Sequence, residues 1–97
     1  MARNLTKDQA AEADLVAIWV NSFETWGEPQ ADPYVNALEK GTRRLVDRPT
    51  NGTPRDELHQ GFWSQRIEHH VVFYTFPDAE LRVRRVLHAV GDVGQHL

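Results

Sequence analysis

The chain has 97 residues, no cysteine and a formal net charge of −3, with 40% hydrophobic and 26% charged residues. This is a globular composition sufficient for one domain with a small core and too short for two. A disulfide framework, cysteine-based zinc, a membrane span of ~20 apolar residues and the basic excess of a direct nucleic-acid binder are all missing.

The first residues lack the long apolar segment of a signal peptide, and the absence of cysteine suits a reducing cytosol, so a cytoplasmic protein is expected. A short strand is predicted over residues 2–5, with Thr6 as the N-cap of the first helix and Asp8 in its first turn. Ala11, Leu15, Ile18, Trp19, Ser22 and Trp26 recur at steps of three and four and make one apolar face. Gly27 ends this helix, in a left-handed conformation. Pro29 opens a second helix, whose stripe is Ala31, Tyr34, Val35, Leu38 and Leu45. Gly41, near that stripe, is expected to let the two helices approach closely. Pro49 stops the helix and drives Arg48 out of helical geometry.

Residues 49–60 read as a loop, with two prolines and the turn signal Asn51-Gly52. Strands follow over about 62–68, 70–76 and 81–88, with Pro77-Asp78 turning the last two. The order is β-α-α-β-β-β. The expected fold is α+β, one domain spanning 1–97, with an antiparallel sheet and an N-terminal helical hairpin packed on one face.

Five histidines are present, His59, His69, His70, His88 and His96, but none are paired at a metal-ligand spacing, and adjacent His69 and His70 point to opposite faces of a strand. No metal and no cofactor is expected. Alternation along the last strand puts Leu81, Val83, Arg85 and Leu87 toward the helices and Arg82, Arg84, Val86 and His88 on the open face. Arg82, Arg84 and His88, with Tyr74 from the neighbouring strand, could there stabilise a scissile phosphate and move a proton, as a ribonuclease does. The favoured reading is plainer: a solvated strand whose guanidiniums pair with acids from the loops. Trp26 is expected to pack the helix hinge and Trp19 the core, while Trp63 fits either core or an exposed anchor.

Several segments, taken together and in order, resemble one family. Ala13-Asp14-Leu15-Val16-Ala17-Ile18-Trp19 is similar to its first-helix motif, and the segment from Trp26-Gly27 through Gln30-Ala31 to Tyr34 to its hinge. Arg48-Pro49 with Asn51-Gly52, Asp56-Glu57-Leu58 and Gly61 match its loop, His70-Val71-Val72-Phe73-Tyr74 a strand, and Val86-Leu87-His88, Asp92 and His96-Leu97 its C-terminal signature. On these residues the chain is identified as a member of the ParE toxins of the RelE/ParE superfamily. It departs from the pattern at Trp63, where an arginine is frequent, and at Glu68-His69, where a glycine is usual. The resemblance implies a gyrase poison without catalytic chemistry, held inactive by a ParD-type antitoxin that also supplies DNA binding. Target contacts are then expected at Arg84, Arg85, His88, Asp92, His96 and Leu97, and antitoxin contacts at Trp19, Phe23, Tyr34, Leu38 and Trp63. The alternatives are a RelE-like ribonuclease acting on ribosome-bound mRNA through Arg82, Arg84, His88 and Tyr74, and a homologue that has lost its target and only binds antitoxin.

Overall fold

The computed structural model describes residues 3–89. Its elements are β1 (Asn4–Lys7), α1 (Gln9–Trp26), α2 (Glu28–Asp47), a 3₁₀ turn (Pro49–Asn51), β2 (Thr53–Pro54), β3 (Trp63–Ile67), β4 (His70–Thr75) and β5 (Glu80–His88). The strands form one sheet in the order β1-β5-β4-β3-β2. Both helices pack on one side of it.

Three expectations about the strands and the first helix cap need correction. The sheet is mixed, because β1 pairs parallel with β5, Leu5 beside Leu81 and Lys7 beside Val83. No local signal reports a pairing between strands so far apart in the chain. The segment 49–60 also contributes a strand, β2, whose Thr53 and Pro54 pair with Ser64 and Trp63 at the sheet edge, where a missing proline N–H costs little. Thr6 belongs to β1, not to a helix cap, and its Oγ1 donates to Glu80 Oε1 at 2.8 Å. Asp8 occupies the N-cap position, with its carboxylate turned toward β5.

Gly27 alone joins α1 to α2. Its φ of 87° is as expected, but its ψ of 172° takes it out of the left-handed helical region into an extended mirror conformation that favours glycine. Its N–H donates to Phe23 O, and its carbonyl accepts from Gln30 and Ala31 N–H, so one residue satisfies both helix ends. Gly41 faces the sheet rather than α1, since a Cβ there would meet the Ile67 side chain of β3 at 2.7 Å. Arg48 leaves helical geometry at φ −137°, ψ 71°, as the following proline requires.

The core lies between the helices and the sheet: Ala11 and Ile18 of α1, Leu38 and Leu45 of α2, and Val72, Tyr74, Leu81, Val83 and Val86 of the strands. Tyr74 is fully buried, and its hydroxyl donates to Pro49 O, pinning the end of α2 to β4. A Cβ on Gly52 would collide with that hydroxyl and with the Ser64 carbonyl, so the glycine is required there by space.

Candidate partner-binding site

β5 carries the arginines and a bulge. Its register to β4 runs Val72↔Val86 and Phe73↔Arg85, then Tyr74↔Val83, which leaves Arg84 as the extra residue. The alternation therefore reverses after Arg84. Leu81, Val83 and Val86 face the helices, and Arg85 and Leu87 register with Phe73 and Val71 on the opposite side. Val86 is thus a core residue and Arg85 is not, contrary to the expectation of simple alternation. The cause is the Arg84-Arg85 doublet, since neither guanidinium can enter the core.

Each of these arginines is engaged within the fold. The Arg85 guanidinium grips Asp14 of α1, Nε to Oδ2 at 2.7 Å and Nη2 to Oδ1 at 2.9 Å, and this raises its already high pKa. Asp14 Oδ2 also accepts the Val86 backbone N–H at 2.9 Å. β1 pairs with β5 only as far as Val83, so Asp14 takes over as edge partner where β1 has ended. Arg84 Nε lies 2.7 Å from Asp8 Oδ2, with its guanidinium over the Phe62 ring at 5.5 Å. Arg82 binds Glu80 at 2.6 Å and sits 3.8 Å from Asp8. The hydrogen bond from Arg82, then that from Thr6, holds the Glu80 carboxyl below its usual range.

The Arg82, Arg84, His88 and Tyr74 constellation is not brought together. Tyr74 is buried on the helix side, where burial pushes its hydroxyl pKa up. His88 pairs across strands with His70 at the far end of β5, their rings 5.1 Å apart. His70 Nδ1 is 2.6 Å from the Tyr34 hydroxyl, which accepts the His69 backbone N–H at 3.1 Å. Burial, then the neighbouring His88 and His69, push the His70 pKa down to about 4. With the ring neutral and its proton on Nε2, His70 Nδ1 accepts a hydrogen bond from the Tyr34 hydroxyl, which keeps its proton. Among the described residues no group of three His, Cys, Asp or Glu could hold a metal ion.

The expected antitoxin contacts separate in the same way. Leu38 is 1% exposed and belongs to the core, since its place on the stripe of α2 faces the sheet. Tyr34 is tied to the β3–β4 turn by its two hydrogen bonds. Trp63 is half-buried, edge-on to Phe76 at 5.2 Å, and lines an open cleft of about 460 Å³ with Phe76 and Arg84. Trp19 and Phe23 are at the surface of α1. Trp19 stacks on Phe23 at 5.3 Å and its Nε1–H donates to Asp32 Oδ1 at 2.7 Å, so it braces α2 from outside rather than filling the core. Trp26 stands out at the hinge, 57% exposed, with its ring 6.5 Å from that of Tyr34. Asp92, His96 and Leu97 lie outside the described residues.

Among the described residues the exposed large hydrophobic side chains are Val16 at 64%, Val20 at 42%, Phe23 at 43% and Trp26 at 57%, all on α1. With Trp19 they fall within an arc of about 120°, at roughly 100° per residue. Ala11, Leu15, Ile18 and Ser22 point inward, toward α2 and the sheet, on the adjoining arc. α1 is therefore apolar on two faces, and only one is covered. Reading the chain for a single stripe missed Val16 and Val20. The usable signal was Val16, Val20 and Phe23 at i, i+4 and i+7 beside a complete inward set.

Residues 6–92 match the family model described as the ParE toxin of the type II toxin–antitoxin system parDE. A Mycobacterium tuberculosis protein, "Toxin ParE1", is 33% identical over 89 residues, 91% of each chain. A Caulobacter vibrioides "Toxin ParE1" is 33% identical over 87 residues, 90% of each. A solved structure titled "Chromosomal ParDE TA system from P. aeruginosa" superposes with a TM-score of 0.79 at 19% identity, covering 90% of this chain and 96% of the other, and shares the fold.

Proposed function

Because the chain belongs to the ParE family, the toxins of type II toxin–antitoxin systems, we propose that it is a cytoplasmic binding poison of DNA gyrase, silenced by a ParD-like antitoxin laid along the outer face of α1. The exposed row Val16, Val20, Phe23 and Trp26 carries the antitoxin half of this reading. A row of large apolar side chains on one helix face is the form in which an amphipathic partner helix is received. Trp19, stacked on Phe23, belongs to the same surface.

The target half rests on the family. Arg84, His88 and the segment carrying Asp92, His96 and Leu97 are the proposed gyrase contacts. Arg85 is removed from that set and assigned a structural role, because Asp14 holds it on two hydrogen bonds. The dispersal of Arg82, Arg84, His88 and Tyr74 favours a binding poison over a RelE-like ribonuclease, whose chemistry needs such groups to converge on one phosphate.

The test is supercoiling of relaxed plasmid by purified gyrase with and without the protein, reading linear DNA. Cleaved plasmid is expected to accumulate, to disappear when the antitoxin encoded beside the toxin is added, and to be lost on deletion of residues 90–97. Normal supercoiling over a wide concentration range removes gyrase as the target. Cleavage of mRNA on translating ribosomes is then the reaction to assay.

A further inference from the structure

The outer face of α1 has a charge as well as an apolar character. From Asp8 to Glu39 the chain carries seven Asp or Glu and no Lys or Arg. Asp8, Asp14 and Glu39 are ion-paired with Arg84, Arg85 and Lys7 within the fold, so the charge of this face rests on Glu12, Glu24 and Asp32. Glu12 continues the line of Val16 and Phe23 toward the start of the helix, and Glu24 flanks it near the end, both exposed. Asp32 of α2 stands beside Trp19 on the same side. Ala13 and Ala17, exposed and small, share the margin of Glu24, across the row from Trp19 and Asp32, and let a facing helix approach closely.

We propose that the segment covering α1 is a cationic amphipathic helix, with apolar residues at i, i+3 or i+4 and i+7 flanked by Lys or Arg. This rests on the reading of α1 as the antitoxin site and adds the chemistry of the segment that fills it. Charge complementarity selects this occupant. A second copy of the chain would bring Glu12 and Glu24 against the same carboxylates of its mate, in either orientation, and an acidic segment would meet the same repulsion. A basic margin instead closes exposed ion pairs around the apolar row and speeds encounter.

The probe is a displayed library of helical peptides with Leu at the apolar positions and Lys, Gln or Glu at the flanks, selected on the full chain at low salt. Lys is expected to dominate the flanks of bound peptides. Glu12→Gln with Glu24→Gln should weaken them roughly three- to tenfold, and Glu12→Lys with Glu24→Lys should shift selection toward Glu. Recovery of Glu- or Gln-flanked peptides that Val20→Asp abolishes overturns the charge inference and leaves α1 as the site. No binders, or binders indifferent to Val20→Asp, overturn both. A concentration-dependent dimer in sedimentation that Val20→Asp dissolves assigns the face to a second copy and overturns the proposal.

Discussion

β5 and the outer face of α1 are opposites. β5 is dense in residues that look ready for chemistry, yet Arg82, Arg84 and Arg85 are bound to Glu80, Asp8 and Asp14. The face of α1 holds no reactive group, yet its apolar row is left uncovered. Charged side chains near one another satisfy each other inside a fold, whereas a large apolar side chain facing water can be satisfied only by something else. In a small toxin, exposed Val and Phe are therefore a better pointer to a partner than a cluster of arginines.

Breaking the β5 side should chiefly cost stability. Asp14→Ala leaves Arg85 without its carboxylate and the Val86 N–H without its acceptor, and should lower unfolding free energy by roughly 2–4 kcal/mol, read from urea denaturation. A loss under about 0.5 kcal/mol would mean that Asp14 is incidental. Breaking the α1 side should do the reverse. Phe23→Ala should weaken antitoxin binding by about 2 kcal/mol, near thirtyfold, in titration calorimetry, with the urea midpoint scarcely moved. If stability falls instead, Phe23 is a core residue and the contrast fails.

Acidification tests the Tyr34–His70 clasp between α2 and β4. The folded His70 titrates near 4, below its ordinary 6.5. Between these values the unfolded chain binds the extra proton, so stability is full above about 6.5 and falls as pH drops toward 4. A His70→Gln variant should lose part of that pH dependence between pH 7 and 4.5 in thermal melts, and an unchanged slope would place the titration elsewhere. The smallest effect is expected at Arg84→Ala, within about 1 kcal/mol of stability because its ion pair is still reached and screened by solvent. Its loss should appear instead in gyrase poisoning. A fully active variant would remove Arg84 from the target surface.

Much of the fold was legible from local signals. The apolar period of α1 and α2, the Gly27 hinge, the Pro49 stop and the apolar run of β4 all report themselves in neighbouring residues. The parallel β1–β5 pair does not, because it depends on a register between Leu5 and Leu81 that neither segment encodes alone. The bulge was half legible. Val83-Arg84-Arg85-Val86 interrupts strict alternation, and reading straight through it sent Arg85 inward and Val86 outward. The proposed contacts divided on burial: Leu38 obeys the helical period and is inside, Phe23 breaks the single-stripe rule and is outside.

The pairing of β1 with β5 also sets a schedule. The hairpin of α1 and α2 is built from near neighbours and can form as soon as Asp47 is made, but β1 waits for a strand translated some seconds later, at ~5–20 residues per second. Throughout that interval the outer apolar face of α1 is open and the inward one still lacks the sheet that will cover it. A partner already present in the cell meets the nascent toxin on a helix that is complete before the sheet beneath it is, and has the first opportunity to bind it.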